Sequence, residues 1–190
     1  MTKADFSPAA ALAFVKETAR PRDPDAVLAA LDEFGWAKAW HMSLGDEKGV
    51  ILDEALRKVD SLMNVVELGT FVGYSAVRIA RLLPPGGKLY TIDPDVERTN
   101  TVAKEVVAFA GLADKVEFVP GTAAEALPEL SAREELRGKV DCVFIDHQKD
   151  CYLSDLQLIE KLGLLRPGAL VVADNVIGEC QGLLPPRSVL

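Results

Sequence analysis

Cysteine is scarce in this chain. There are three in 190 residues, Cys142, Cys151 and Cys180, and no CxxC pair occurs. An odd number without paired spacing argues against a disulfide framework or a thiolate zinc site, and a reduced, cytoplasmic setting is expected. Cys142 lies in an apolar run and reads as core filler. Histidine is scarcer still: His41 and His147 stand far apart, so a histidine-based metal site is not expected. No apolar run approaches the roughly 18 residues of a membrane span. The N-terminus has no hydrophobic stretch of the secretory type. Basic residues are in deficit, 21 Lys and Arg against 29 Asp and Glu, for a formal charge of −8. They are scattered among acids, which argues against a nucleic-acid surface. Repeats and low-complexity tracts are absent.

What the chain has is apolar material, 49% of its residues, enough for a sizeable core in one domain. The first third reads as helices. Ser7-Pro8 and Asp23-Pro24 are each an N-cap followed by proline at the first helical position. After the second, Val27, Leu28, Leu31 and Phe34 recur at helical spacing, and Gly35 is expected to end that helix. A third helix is expected over about 47–59, with Val50, Ile51, Leu52, Ala55 and Leu56 as its apolar residues. From about Asn64 the texture changes to short apolar runs alternating with helical segments. Strands are expected at 65–68, 88–92, 115–119, 140–145 and 169–173. Helices are expected at 74–83, about 96–110, 123–130 and 153–162, with turns at 84–87 and 166–168. Such alternation implies parallel strands joined by helical crossovers, a doubly wound α/β sheet. Ligands of such sheets bind beyond the carboxyl ends of the strands.

Three places lie there. The first strand ends in Glu67-Leu68-Gly69-Thr70-Phe71-Val72-Gly73-Tyr74-Ser75. Two glycines permit a tight turn and close backbone approach. An acid stands before the first glycine, which pyrophosphate would not want but a sulfonium or ammonium would. The second strand ends at Asp93, where an acid typically accepts ribose hydroxyls. Together they suggest an adenosyl ligand with a cationic end; the alternative is an ordinary turn with a solvated acid. The fourth and fifth strands run into Asp146 and into Asp174-Asn175. If these strands are neighbours, two carboxylates and an amide oxygen converge, a donor set suited to Mg²⁺. Lys149 follows closely; beside a dication its ammonium pKa should fall, fitting it to take a phenolic proton. The alternative makes the two aspartates helix caps and Lys149 a surface charge. His147 is expected to be structural or to line a substrate site. Trp40 and Met42 line a pocket or pack in the core.

These residues resemble the catechol O-methyltransferase family of class I S-adenosylmethionine-dependent enzymes. The likeness runs from about Arg22 to Asn175 through Lys38-Ala39-Trp40-His41-Met42, Gly45-Asp46, Glu67-Leu68-Gly69, Gly73-Tyr74-Ser75-Ala76-Val77-Arg78, Phe109-Ala110-Gly111-Leu112, Asp114-Lys115-Val116, Asp146-His147, Lys149-Asp150 and Ala173-Asp174-Asn175-Val176. The resemblance implies a Rossmann-like fold and Mg²⁺-dependent methyl transfer from S-adenosylmethionine to one hydroxyl of a catechol. It implies Lys149 as the catalytic base, and Asp146, Asp174 and Asn175 as metal ligands. Trp40, Asp146, Lys149 and Asn175 would meet the substrate. Met42, Ser43, Leu44, Glu67, Gly69, Phe71, Gly73, Tyr74, Ser75, Asp93, Pro94, Ala123, Ala124, Asp146 and Gln148 would meet the cofactor. Three departures are visible. Asp93 replaces a glutamate, Ala123 and Ala124 replace polar residues, and Gln148 replaces an aromatic.

The likeness stops after Val176-Ile177. The resemblance therefore implies a methyltransferase domain over 1–177, helical over about 7–60 and α/β over about 64–177, followed by a divergent tail at 178–190. The tail is too short for the family's last two strands, and Pro185-Pro186 opposes a central strand. A truncated or alternatively ended member with an exposed apolar sheet edge is expected, monomeric but able to self-associate there. A cofactor-binding chain without turnover, or an enzyme acting on another vicinal diol or phenol, are the alternative functions.

Overall fold

The computed structural model describes residues 6–176. Its elements run α1 (Pro8–Thr18), α2 (Pro24–Ala37), α3 (Gly45–Arg57), β1 (Asn64–Leu68), α4 (Tyr74–Ala80), β2 (Lys88–Asp93) and α5 (Val96–Arg98). A π turn (Thr99–Ala103), α6 (Lys104–Phe109), β3 (Val116–Pro120), α7 (Ala123–Ser131), β4 (Val140–Ile145), a 3-10 turn (Lys149–Cys151), α8 (Tyr152–Lys161) and β5 (Leu165–Ala173) follow. The tail at 178–190 and the expectations attached to it lie outside the described residues. Among the described residues no helix is long and apolar enough to cross a membrane.

The caps form as read. The Ser7 hydroxyl accepts from the Ala10 amide at 3.3 Å and the Asp23 carboxylate from the Ala26 amide at 3.0 Å. Val27, Leu28, Leu31 and Phe34 are buried. Gly35 does not end α2, which continues to Ala37. Its missing side chain serves a close approach instead, since a Cβ there would stand 3.0 Å from His41 Nε2. In α3 only part of the expected stripe faces inward. Leu52 and Leu56 are buried, but Val50 and Ile51 are half exposed. The inner face instead carries Asp53, held in ion pairs by Arg78 and Arg81 of the segment that follows the glycine loop.

The five strands are all parallel, in the order β3-β2-β1-β4-β5. Alternate residues feed opposite faces. Val65, Leu89, Val116, Cys142 and Phe144 join one core with α1–α4 and α6. Val66, Leu68, Tyr90, Ile92, Val143 and Ile145 join a second core with α7 and α8. Covering on both faces is why the inner strands β1, β2 and β4 are near-continuously buried. The expected turn at 166–168 is inside β5. The register passes from Val140↔Leu165 to Cys142↔Leu170, so β5 makes an irregular excursion there. Pro167 is tolerated because β5 is an edge strand of the described sheet and the pairing is interrupted at that point. Burial pushes the Cys142 thiol up to about 12, consistent with an inert core residue.

The strand order reverses between β1 and β4. Their carboxyl ends therefore diverge into opposite crossovers and leave a crevice between them.

Candidate functional site

The crevice holds a cavity of about 620 Å³. Of the residues singled out in the sequence, Trp40, Met42, Ser43, Gly69, Phe71, Asp93, Pro94, Ala123, Asp146, Gln148, Lys149, Asp174 and Asn175 line it. Leu44, Tyr74 and Ser75 line a smaller hollow that shares Met42, Ser43, Gly69, Phe71 and Asp146 with the first. Ala124 is exposed and lines neither. Tyr74 is turned inward, its hydroxyl donating to Asp32 at 3.2 Å and accepting from Arg78.

Gly69 is required by two neighbours at once. Its φ is +103°, and a Cβ would run into the backbone carbonyl of Asp146. The loop after β1 thus lies directly on the end of β4, which closes the crevice floor. Gly73, with φ +86°, meets the π turn, where a Cβ would be 3.2 Å from the Ala103 carbonyl oxygen. Its freedom serves the close packing against that turn.

Glu67 lies beneath the loop, fully buried. Oε2 accepts from the Thr91 hydroxyl at 2.5 Å, and Oε1 has no partner among the described residues. Burial drives its pKa up to about 8, against the lowering effect of the nearby Ser75 and Thr91 hydroxyls, of which only Thr91 is in hydrogen-bonding geometry. A buried carboxyl with one unpaired oxygen is a place that calls for a donor or a positive charge.

At the ends of β4 and β5 the acids converge. Ile145 pairs with Ala173, and the Asp174 amide donates to the Ile145 carbonyl at 2.9 Å, so Asp146 and Asp174 leave the sheet side by side. Burial, then the nearby Asp174 charge, raises the Asp146 pKa to about 7, while Lys48 and Lys149 act in the opposite direction. Among the described residues neither aspartate caps a helix. Among the described residues no group of three His, Cys, Asp or Glu side chains is placed to hold a metal. The set is two carboxylates with the Asn175 amide. Its oxygens are of the kind a hard cation takes, and Lys48 already sets a positive charge against them. Its ammonium donates to Asp174 Oδ2 at 2.5 Å and to Asn175 Oδ1 at 3.4 Å.

Two histidines have structural partners. His41 Nε2 donates to the Leu31 carbonyl at 3.1 Å, and Nδ1 meets the Ser43 hydroxyl at 2.7 Å, which orients the segment leading to the cavity. His147 Nε2 donates to Asp155 at 2.8 Å, and its ring stacks on Tyr152. Trp40 and Met42 are 63% and 70% exposed, so they stand at the cavity mouth rather than in the core.

A family model described as O-methyltransferase matches residues 18–184. The chain belongs to the O-methyltransferase family. It is 44% identical over 171 residues to catechol O-methyltransferase B of Danio rerio, covering 89% of this chain and 62% of that protein. It is 41% identical over 175 residues to a probable O-methyltransferase of Mycobacterium tuberculosis, covering 90% and 74%. The solved O-methyltransferase TomG from Streptomyces achromogenes, in complex with SAM, superposes with a TM-score of 0.68 at 33% identity, over 80% of this chain and 66% of that one. An O-methyltransferase from Bacillus cereus, in complex with SAH, gives 0.67 at 26% identity, over 89% and 74%. The chain spans less than two thirds of the length of the first catechol O-methyltransferases it matches. Within this family frame, two cavity residues were not foreseen from the sequence. Lys48 is separated by 126 positions from Asp174, and no local pattern marks it. Arg98 reads as one more charge on a helix, yet it pairs with Asp93 and lines the cavity.

Proposed function

We propose that this chain transfers a methyl group from S-adenosylmethionine to one hydroxyl of a catechol with the help of Mg²⁺. The observation that carries the reading is the side-by-side placement of Asp146 and Asp174 at the mouth of a crevice floored by the Gly69 loop. When bound, S-adenosylmethionine supplies an electrophilic methyl on a sulfonium. When bound, Mg²⁺ holds vicinal oxygens and lowers a hydroxyl pKa. Asp146, Asp174 and the Asn175 amide oxygen would hold the cation. Glu67 would answer the cationic end of the cofactor with its unpaired oxygen, and Ser75 would add a hydroxyl in the smaller hollow. Lys149 Nζ would take the phenolic proton, and Trp40 and Met42 would shield the acceptor from water. Holding the reactants in line is the main service such a site performs, since the reactive methyl belongs to the cofactor.

Transfer of labelled methyl from S-adenosylmethionine to a simple catechol, with Mg²⁺ and with chelator, tests this. Labelled product is expected only with the metal. Equal turnover in chelator would remove the metal from the reading.

A second reading, cofactor binding without turnover, is favoured by the Lys48–Asp174 ion pair, which occupies the oxygens the metal needs. It predicts S-adenosylhomocysteine binding with no labelled product and no divalent-ion binding. Lys48→Met separates the two. If the ammonium competes with a divalent ion, Mn²⁺ titrated into the variant is expected to bind about tenfold more tightly than in wild type, a change of ~1.4 kcal/mol. Lys48→Arg, which keeps the charge, is expected to retain weak binding.

A further inference from the structure

We infer that Phe6 is a positioning residue for the smaller hollow, holding two of its walls together without entering it; the inference rests on the adenosyl reading above. One wall is the segment 42–44, and the other is the loop 69–71 after β1. Phe6 lines neither cavity. Its ring centroid stands 5.2 Å from that of His41 and 5.5 Å from that of Phe71. One side chain thus meets the residue just before the first wall and a residue of the second.

Each contact acts on a group that needs holding. Phe71 has φ +49°, a left-handed conformation that an aromatic residue keeps only where its surroundings fix it. Its amide donates to Asp93 at 2.9 Å, and the Arg98 guanidinium lies over its ring at 5.0 Å. Phe6 adds the apolar share of that clamp. His41 orients Ser43 through the 2.7 Å contact of Nδ1 with the hydroxyl, and the Phe6 ring lies tilted against the imidazole that makes this contact. Phe6 is itself anchored. It meets Phe34 of α2 edge-on at 6.3 Å, and the Ser7 cap with Pro8 fixes the backbone that follows it. A hydrophobic residue before an N-cap often packs back on the fourth residue of its own helix. Here that residue is only Ala11, and the ring reaches out to the glycine loop. The width of the hollow depends on the distance between its two walls. Without the ring the walls can part, and a ligand end seated between them loses its fit.

Calorimetry with S-adenosylhomocysteine on the full chain tests this, with thermal melts alongside. Phe6→Ala is expected to bind about tenfold more weakly than wild type, since aromatic contacts carry energies of that order. Phe6→Tyr keeps the ring and is expected to restore most of the affinity. Phe14→Leu is the control. Phe14 packs on the same Phe34 at 5.7 Å and lines neither cavity, so its loss is expected to lower the melting temperature and leave affinity unchanged. Wild-type affinity in Phe6→Ala, an equal loss in Phe14→Leu, or no rescue by Phe6→Tyr would each show that the ring only adds to the core, and overturn the assignment. Phe6→Leu, which lacks the flat ring, replaces the alanine variant if that one does not fold. Failure of wild type to bind S-adenosylhomocysteine at all would overturn the adenosyl reading itself, a separate result.

Discussion

Glu67→Gln is expected to stabilise the free protein and cripple its ligand binding. The signs follow from where the carboxyl sits. Its pKa in the folded chain is about 8, against 4.5 for an ordinary glutamate, because burial penalises the charge. Between those values the folded state keeps a proton that the unfolded state has released. Stability from this group is therefore lost as pH rises from about 4.5 to about 8. Glutamine has no proton to lose. At pH 8 to 9 the variant is expected to melt higher than wild type, with the advantage vanishing near pH 5. The same change removes a carboxylate able to pair with a cationic ligand end, Asp146 being the other acid that lines that hollow. Leaving a buried charge unpaired costs about 3–5 kcal/mol, so S-adenosylhomocysteine affinity is expected to fall a hundredfold or more. Thermal melts across pH and calorimetry at one pH measure the two effects. A variant that melts lower at every pH and binds as wild type would sink the role given to Glu67.

Lys149→Met is expected to lower kcat by about 10²–10⁴-fold, the usual contribution of a positioned general base, while S-adenosylhomocysteine affinity stays near the wild-type value. Lysine and arginine separate the two services the residue could perform. If its charge alone mattered, Lys149→Arg would rescue turnover. If it must accept a proton, arginine stays as inactive as methionine, because a guanidinium does not deprotonate in proteins. The location supports the proton role: Lys149 opens the short turn after β4, lines the cavity, and is close enough to Asp146 to act on its charge. Single-turnover methyl transfer is the measurement, and rescue by arginine is the result that would refute the base assignment.

Much of the fold was legible locally. β4 runs over Val140–Ile145 as read, and the Ser7 and Asp23 caps start their helices, because caps and buried parallel strands are written in short stretches. The errors have tertiary causes. Gly35 looked like a helix end but is a contact surface for His41. Val50 and Ile51 looked like core, but α3 turns Asp53 inward, since two arginines from the chain after the glycine loop need a carboxylate there. Arg166-Pro167-Gly168 looked like a turn because a strand with a register slip has the composition of one.

By itself the sequence determined the order of elements, the family, and the acids that stand at strand ends, since each depends on residues within a few positions of one another. Only the tertiary structure decided which of those groups are free to act. Glu67 keeps an oxygen unpaired among the described residues because β1 lies at the centre of the sheet, flanked by β2 and β4. Asp93 is tied to the loop after β1 and to Arg98 because both fold back onto it. Asp146 and Asp174 meet because β4 and β5 are neighbours, and Lys48 reaches them from a helix far away in sequence. Charge and hydrogen-bond capacity are settled by what surrounds a group in space, and no local pattern records that.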